Sequence, residues 1–422
     1  QDNVFYTVNS LHTLTQNTIT SDTTYTSATM FDFLNCPGPI GTTAPTSGSI
    51  LGISLNDAVF TMNASWIGGQ GTGRVSMAYK PGVGCAALDW YLGNYYNYCA
   101  SNCGGAPVTT ATLNATNVTF TMASSCAYTV GQTIDVDNPN AHSIDQIMGN
   151  WTVTTGCNGT NRWTGTPNNG TLPTGSSSAG WTAYVPSGTE TVCTDPNYVS
   201  GSGLHDSQGS LDGTMIGSSG GCFNPLNGGN EAFWQIGTGN VLGVGGTPGG
   251  STWDGSVAWS GHQSLGVNHV VQVNNPSPNI RTINPLTSTN VGSYTTIATL
   301  DPNGLLPGSI ENHCWWPHPT GDDSYPWLCF DSDATSWQTP GYLQNEIYGV
   351  AVNNGMQTPI RFGPEYNSST SSYFGCSNVG YGSQDGKWFF WLADGNPGNG
   401  NSGFGLDGNG KQECRLLGMK LD

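Results

Sequence analysis

The densest group of chemically able side chains lies between residues 311 and 329, where Glu311, His313, Cys314, Trp315, Trp316, His318, Asp322, Asp323, Tyr325, Trp327 and Cys329 crowd into one short run. A bridge between Cys314 and Cys329 would staple this run into a loop that presents Trp315, Trp316, Tyr325 and Trp327 beside carboxylates. Aromatic faces stack on the C–H faces of sugars, and carboxylates accept hydrogen bonds from their hydroxyls. Those four aromatic residues are therefore the candidate glycan-binding set. The plainer alternative is a closed loop whose tryptophans pack into a core or an interface.

Glycoside hydrolysis needs two carboxyl groups about 5–10 Å apart across the scissile bond, one of them with a raised pKa. Glu231, in Asn-Glu-Ala-Phe-Trp, and Glu311 have aromatic neighbours, with Asp322 and Asp323 as partners in the same region. These four are the candidate catalytic residues. Nothing in the sequence makes any two converge, and a surface or loop hydrogen-bonding role is the plainer reading of each.

Other signatures fail on spacing or context. His313 and His318 stand at i and i+5 without the intervening Glu of a zinc-binding helix. Gly217-Ser-Ser219-Gly-Gly221 has the letters of a nucleophile elbow, but no helix follows it. Gly237, Gly239 and Gly243 lack the spacing of a dinucleotide fingerprint. His269 shares an alternating run with Val267, Val271 and Val273 and reads as a core or interface histidine. Asp394-Gly-Asn396 and Asp407-Gly-Asn409 set oxygen donors at alternate positions, as a Ca²⁺ loop does, yet neither has the Glu that completes an EF-hand. Asp-Gly and Asn-Gly turns explain them. No cofactor is expected, and Ca²⁺ is the one ion these loops would suit.

The elements that must position such residues are written in the composition. Of 422 residues only 9% are charged, so Gly, Ser, Thr and Asn supply the polarity. Nine Lys and Arg stand against 27 Asp and Glu, and the net charge of −18 repels nucleic-acid backbones and anionic membrane surfaces. No apolar stretch is long enough for a membrane-spanning helix, and the chain reads as the mature form of a secreted protein.

The 12 cysteines, without paired C-x₂-C spacing, read as disulfides of an oxidising compartment. Cys36, Cys85, Cys99, Cys103, Cys126 and Cys157 precede residue 165, and Cys193, Cys222, Cys314, Cys329, Cys376 and Cys414 follow residue 180. The local pairs Cys314 with Cys329 and Cys376 with Cys414 are the first expectation. N-x-S/T sequons at Asn63, Asn114, Asn117, Asn150, Asn158, Asn169 and Asn367 offer sites for N-linked glycans.

Helical periodicity is nearly absent. Short alternating runs rich in Val, Thr, Tyr and Phe recur between Gly, Pro and Asn clusters, which predicts an all-β chain of antiparallel, β-sandwich-type domains with long loops, stapled by disulfides. Strands are expected at residues 4–8, 25–34, 118–122, 151–153, 267–273, 294–300 and 414–421. The Phe-Thr-Met triplet occurs twice, but no longer period emerges. The Gly-, Pro- and Ser-rich run at 166–180 is expected to be a linker or long loop between a β domain at 1–165 and another at 181–422.

Two functions are carried forward. The first is a secreted structural glycoprotein, a subunit of an extracellular filament, coat or sheath, whose partners are other copies of itself or other extracellular glycoproteins. The second is a secreted carbohydrate-active protein, a hydrolase or a lectin, that binds polysaccharide through the 311–329 loop.

Overall fold

The computed structural model describes residues 3–8, 12–21, 24–40, 51–65, 73–90, 92–100, 105–137, 147–178, 180–189, 205–219, 231–244, 264–267, 270–274, 279–283, 295–299, 311–315, 327–333, 346–351, 360–364, 380–382, 387–393 and 415–420. The chain is all-β: the described residues form six open antiparallel sheets and one closed barrel, with no α-helix among them.

The first sheet holds β1 (Val4–Val8), β2 (Thr13–Ser21) and β3 (Thr24–Asp32) in that order. Its near half packs on the body: Leu14 is buried, and Phe31 stacks on Tyr79 with ring centroids 4.0 Å apart. Its far half is exposed on both faces from Thr24 to Thr29. Strand β3 ends where Asp32 caps a short 3₁₀ turn, Phe33–Asn35, by accepting the Leu34 N–H at 2.9 Å.

His12 sits at the root of this sheet, fully buried, with a φ of 65° and its carbonyl accepting the Phe33 N–H. Burial lowers its pKa below the ordinary 6.5, and the nearby Asp32 carboxylate offsets part of that shift. An unfolded chain thus takes up a proton below pH 6.5 that the folded chain refuses, so stability falls as pH drops through that window. His12→Asn tolerates the positive φ and removes the titration. Chemical denaturation at pH 7 and pH 5 is expected to show the wild type losing more stability than this variant; equal losses would contradict the assignment.

The second sheet runs β15-β8-β7-β6-β5-β4. Its strands are β4 (Gly52–Ile53), β5 (Phe60–Ser65), β6 (Gly73–Lys80), β7 (Gly84–Asp89) and β8 (Asn94–Cys99), with β15 (Gly188–Thr189) returning from further along the chain. Strand β7 is buried at every residue. Cys85 and Ala87 enter the core shared with the first sheet, while Ala86 and Leu88 enter a second core with Ile216 and Trp234. A strand covered on both faces needs apolar residues at consecutive positions, hence Cys-Ala-Ala-Leu without alternation.

The barrel closes in the order β10-β13-β12-β11-β14-β9. It is built from β9 (Ala106–Leu113), β10 (Val118–Met122), β11 (Thr133–Asp137), β12 (Gly149–Thr155), β13 (Arg162–Pro167) and β14 (Trp181–Tyr184). Its interior is packed: Trp163 stacks on Phe120 at 4.2 Å, Trp151 meets Phe120 edge-on, and Tyr128 meets Trp163 edge-on. The run 166–180 begins in the last two residues of β13 and from residue 168 is the long connection to β14, another strand of this one barrel. It is pinned near its end by paired backbone bonds between Ser177 and Ala111 and by the Ser176 hydroxyl, which accepts the Leu113 N–H. The sheets therefore continue across it, since β14 closes the barrel and β15 extends the second sheet.

The rest of the chain is a series of consecutive meanders. They comprise β16 (His205–Gly209), β17 (Met215–Ser219), β18 (Glu231–Gln235) and β19 (Val241–Val244); then β20 (Ser264–Leu265), β21 (Val270–Asn274), β22 (Asn279–Ile283) and β23 (Thr295–Thr299). Next come β24 (Glu311–Trp315), β25 (Trp327–Asp333), β26 (Glu346–Ala351) and β27 (Ile360–Pro364), and last β28 (Gly380–Gly382), β29 (Trp388–Ala393) and β30 (Arg415–Lys420). First strands adjoin one another: β16 lies against β4 and β5, β20 against β16, β24 against β20, and β28 against β24. A four-stranded meander set beside its neighbours in this way is the unit of β-propeller blades. The sequence shows no such period because loops of unequal length start these meanders at His205, Ser264, Glu311 and Gly380.

Disulfides join Cys36 to Cys85 and Cys126 to Cys157, and Cys99 is also disulfide-bonded. Cys103, Cys193, Cys222, Cys376 and Cys414 lie outside the described residues. Cys314 and Cys329 lie on neighbouring strands, where the register sets Cys314 across from Phe330 and Cys329 across from Trp315. No helix among the described residues is long and apolar enough to cross a membrane.

Candidate functional site

Strand β11 carries Ile134 and Val136 into the barrel core, so the alternation of a strand turns Asp135 and Asp137 to its outer wall. That wall is covered. Asp89, the last residue of β7, reaches it from the second sheet, and all three aspartates are fully buried. One carboxylate oxygen from each lies within 4.8 Å of the other two.

The surroundings are built to hold this arrangement. The Asp89 carbonyl accepts the Gly93 N–H at 2.8 Å, which fixes the turn into β8. Asn94, opposite Asp89, and Asn150, opposite Asp135, exchange two side-chain hydrogen bonds of 2.9 Å and tie the sheet to the barrel. The buried Tyr96 hydroxyl donates to Asp135 Oδ2 at 2.9 Å. Its pKa is pushed well above 10, first by burial and then by the charges of Asp135 and Asp89, so it stays a donor. Gly38 closes over the ring. Its φ of +98° suits glycine, and a β-carbon there would stand 2.9 Å from Tyr96.

Two unit charges at this separation repel by about 3 kcal/mol at an effective dielectric constant near 20. A hard cation relieves that repulsion, and three carboxylates form an oxygen donor set of the kind Ca²⁺ takes. The three residues that could hold such an ion are Asp89, Asp135 and Asp137. All three are sealed between sheet and barrel and present no surface to solvent.

Tyr96→Phe removes one donor from a buried carboxylate and keeps the packing. The expected loss is about 1–3 kcal/mol in urea unfolding. An unchanged midpoint would show that this hydrogen bond does not hold the seam.

Of the catalytic and glycan-binding candidates singled out from sequence, the described ones fall on two meanders. Glu231 opens β18 and Glu311 opens β24, in different meanders, and no described contact joins them. Glu311 is set across from Asp333, and His313 across from Asp331. Trp315 ends β24 and Trp327 opens β25. Trp316, Asp322, Asp323 and Tyr325, the Ca²⁺ candidates Asp394, Asn396, Asp407 and Asn409, and His269 and His318 lie outside the described residues. Ser219 ends strand β17 between His205 and Glu231 on the flanking strands.

Among the sequons, Asn114, Asn158 and Asn169 are exposed on turns of the barrel and Asn117 is half-buried in one of them; the Asn114 amide donates to Asn117 and Thr119, and the Asn150 amide is engaged with Asn94. Asn63 lies on β5, and Asn367 is outside the described residues. The aspartate cluster was missed in the sequence. Its one local signal is Asp135-Val-Asp137, two acids on one face of a strand whose other face is apolar.

No protein-family description matches the chain, and no curated protein matches it in sequence. Among solved structures, it is similar to the phage phi92 endosialidase, with 10% identity and a TM-score of 0.37, covering 100% of this chain and 66% of that one. A putative 6-phosphogluconolactonase from Bacteroides uniformis gives 14% identity and a TM-score of 0.33, covering 100% and 98%. A structure from a study of two prolyl endopeptidases gives 9% and 0.31, covering 100% and 50%. The chain thus spans about two thirds of the endosialidase chain and half of the endopeptidase chain.

Proposed function

We propose that this chain is a secreted structural glycoprotein, a subunit of an extracellular filament, coat or sheath. The observation that carries the reading is the first sheet. Its far half stands clear of the body and exposes Phe5, Ile19 and Tyr25, with Phe5 and Tyr25 in edge contact at 5.4 Å. Strands β1, β2 and β3 contain no charged residue before Asp32. A chain of net charge −18 repels its copies over most of its surface, and here it does not. The disulfides support a life in an oxidising compartment, and the exposed sequons at Asn114, Asn158 and Asn169 are where glycans would sit.

Light scattering of the purified full chain tests this. Mass is expected to rise with concentration, and more steeply as salt screens the residual charge. A single-copy mass at every concentration and ionic strength would refute it.

A second reading, carbohydrate binding or cleavage, is favoured by the hairpin register that brings Glu311 opposite Asp333 between strands bearing Trp315 and Trp327. It requires cleavage of β- and α-glucans, xylan or pectin that Glu311→Gln abolishes, or binding without turnover.

A further inference from the structure

We infer that the outer edge of β3 is the contact between copies, and that two chains pair antiparallel along residues Thr24 to Thr29. This rests on the self-assembly reading and names the surface through which it happens.

Strand β3 is last in its sheet, with no further partner among the described residues. Edge strands are ordinarily blunted by Lys, Pro, bulges or short length. Here the edge is nine residues long and carries neither Lys nor Pro. Its ladder with β2 is regular from Tyr25 to Thr29, the irregularities falling outside that stretch. Both faces of Thr24–Thr29 are exposed, so an incoming strand meets no side of the body. Strand β1, at the other edge, is only five residues long and half covered at alternate positions, and it is the poorer template.

The occupant is argued from charge and from the sequence of the edge itself. A chain of −18 favours a cationic partner where its carboxylates lie, but Thr24–Phe31 carries no charge for such a partner to meet. Turned on itself about a two-fold axis through Ser27, the centre of the regular stretch, the run Tyr-Thr-Ser-Ala-Thr sets Tyr25 against the second copy's Thr29. Thr26 then meets the second copy's Ala28, and Ser27 its own counterpart. Every cross-strand pair is neutral, and at Tyr25 with Thr29 and at Ser27 hydroxyl residues meet hydroxyl residues, a favourable pairing. An isologous contact of this kind would join two three-stranded sheets into one continuous sheet of six.

Two measurements on the full chain test this. Amide hydrogen exchange at Thr24–Thr29 is expected to slow as concentration rises, while exchange at the β1 edge stays constant. Thr26→Lys, at an exposed position, is expected to weaken association about tenfold or more by placing charge in the seam, with an unchanged thermal midpoint at low concentration. Association that persists in Thr26→Lys, without concentration-dependent protection of β3, overturns this surface and leaves self-assembly standing through another. No association of the wild type at all overturns both. Protection of β3 on binding only an added foreign protein overturns the second copy as occupant.

Discussion

Trp163→Ala is expected to destabilise the protein by about 3–5 kcal/mol. Trp163 is 1% exposed and lies at the centre of the barrel, stacked on Phe120, met edge-on by Tyr128, and donating its indole N–H to Met122 Sδ at 3.3 Å. Truncation removes that contact area and leaves a cavity among Phe120, Trp151 and Val153. Rigid neighbours on two strands cannot collapse into it. The consequence extends beyond the barrel, because Asp135 and Asp137 are held at the seam only while β11 keeps its inner face packed. Urea unfolding followed by tryptophan fluorescence gives the measurement; a loss under about 1 kcal/mol would mean that the barrel interior relaxes freely.

The Cys36→Ala/Cys85→Ala double variant is expected to lose about 4 kcal/mol, the chain-entropy value for a cross-link spanning 49 residues. Both sulfurs are buried, and the bridge fastens the turn after β3 to β7. It therefore joins the protruding sheet to the body. Alanine avoids burying hydroxyl groups in their place. Thermal unfolding of the variant, beside wild type with and without reductant, checks the value. Exposure of the first sheet to proteolysis before the barrel unfolds is the expected order, and simultaneous loss would show that the bridge does not bear on that sheet alone.

Much of the fold was legible. Alternation in Val4–Val8 and Val118–Met122 marks those strands to the residue, and the runs at 294–300 and 414–421 became β23 and β30 with one residue trimmed at each end. The run 25–34 was read too long because Asp32 caps a 3₁₀ turn there, a competition that apolar content alone does not register. The Phe-Thr-Met repeat is shared strand composition: one copy lies in β5 of an open sheet and the other in β10 of the barrel.

What escaped was non-local. Gly, Pro and Ser mark turns alike whether the flanking strands belong to one barrel or to two domains, so 166–180 carried no sign of the strand that follows it home. The meanders escaped for a related reason, since unequal loops erase the period that repeated sheets would otherwise print on the chain. The aspartate cluster needs β7 and β11 to meet across two sheets, and no spacing along the chain encodes that meeting.

The central claim is that this is a self-assembling extracellular subunit. Electron microscopy of the native material, prepared without denaturant, tests it most directly. Fibres or a lattice whose repeating unit is a two-fold pair joined through the first sheet, with a second contact linking the pairs, is the predicted image. A field of discrete single chains, unchanged as concentration and salt are raised, would contradict it.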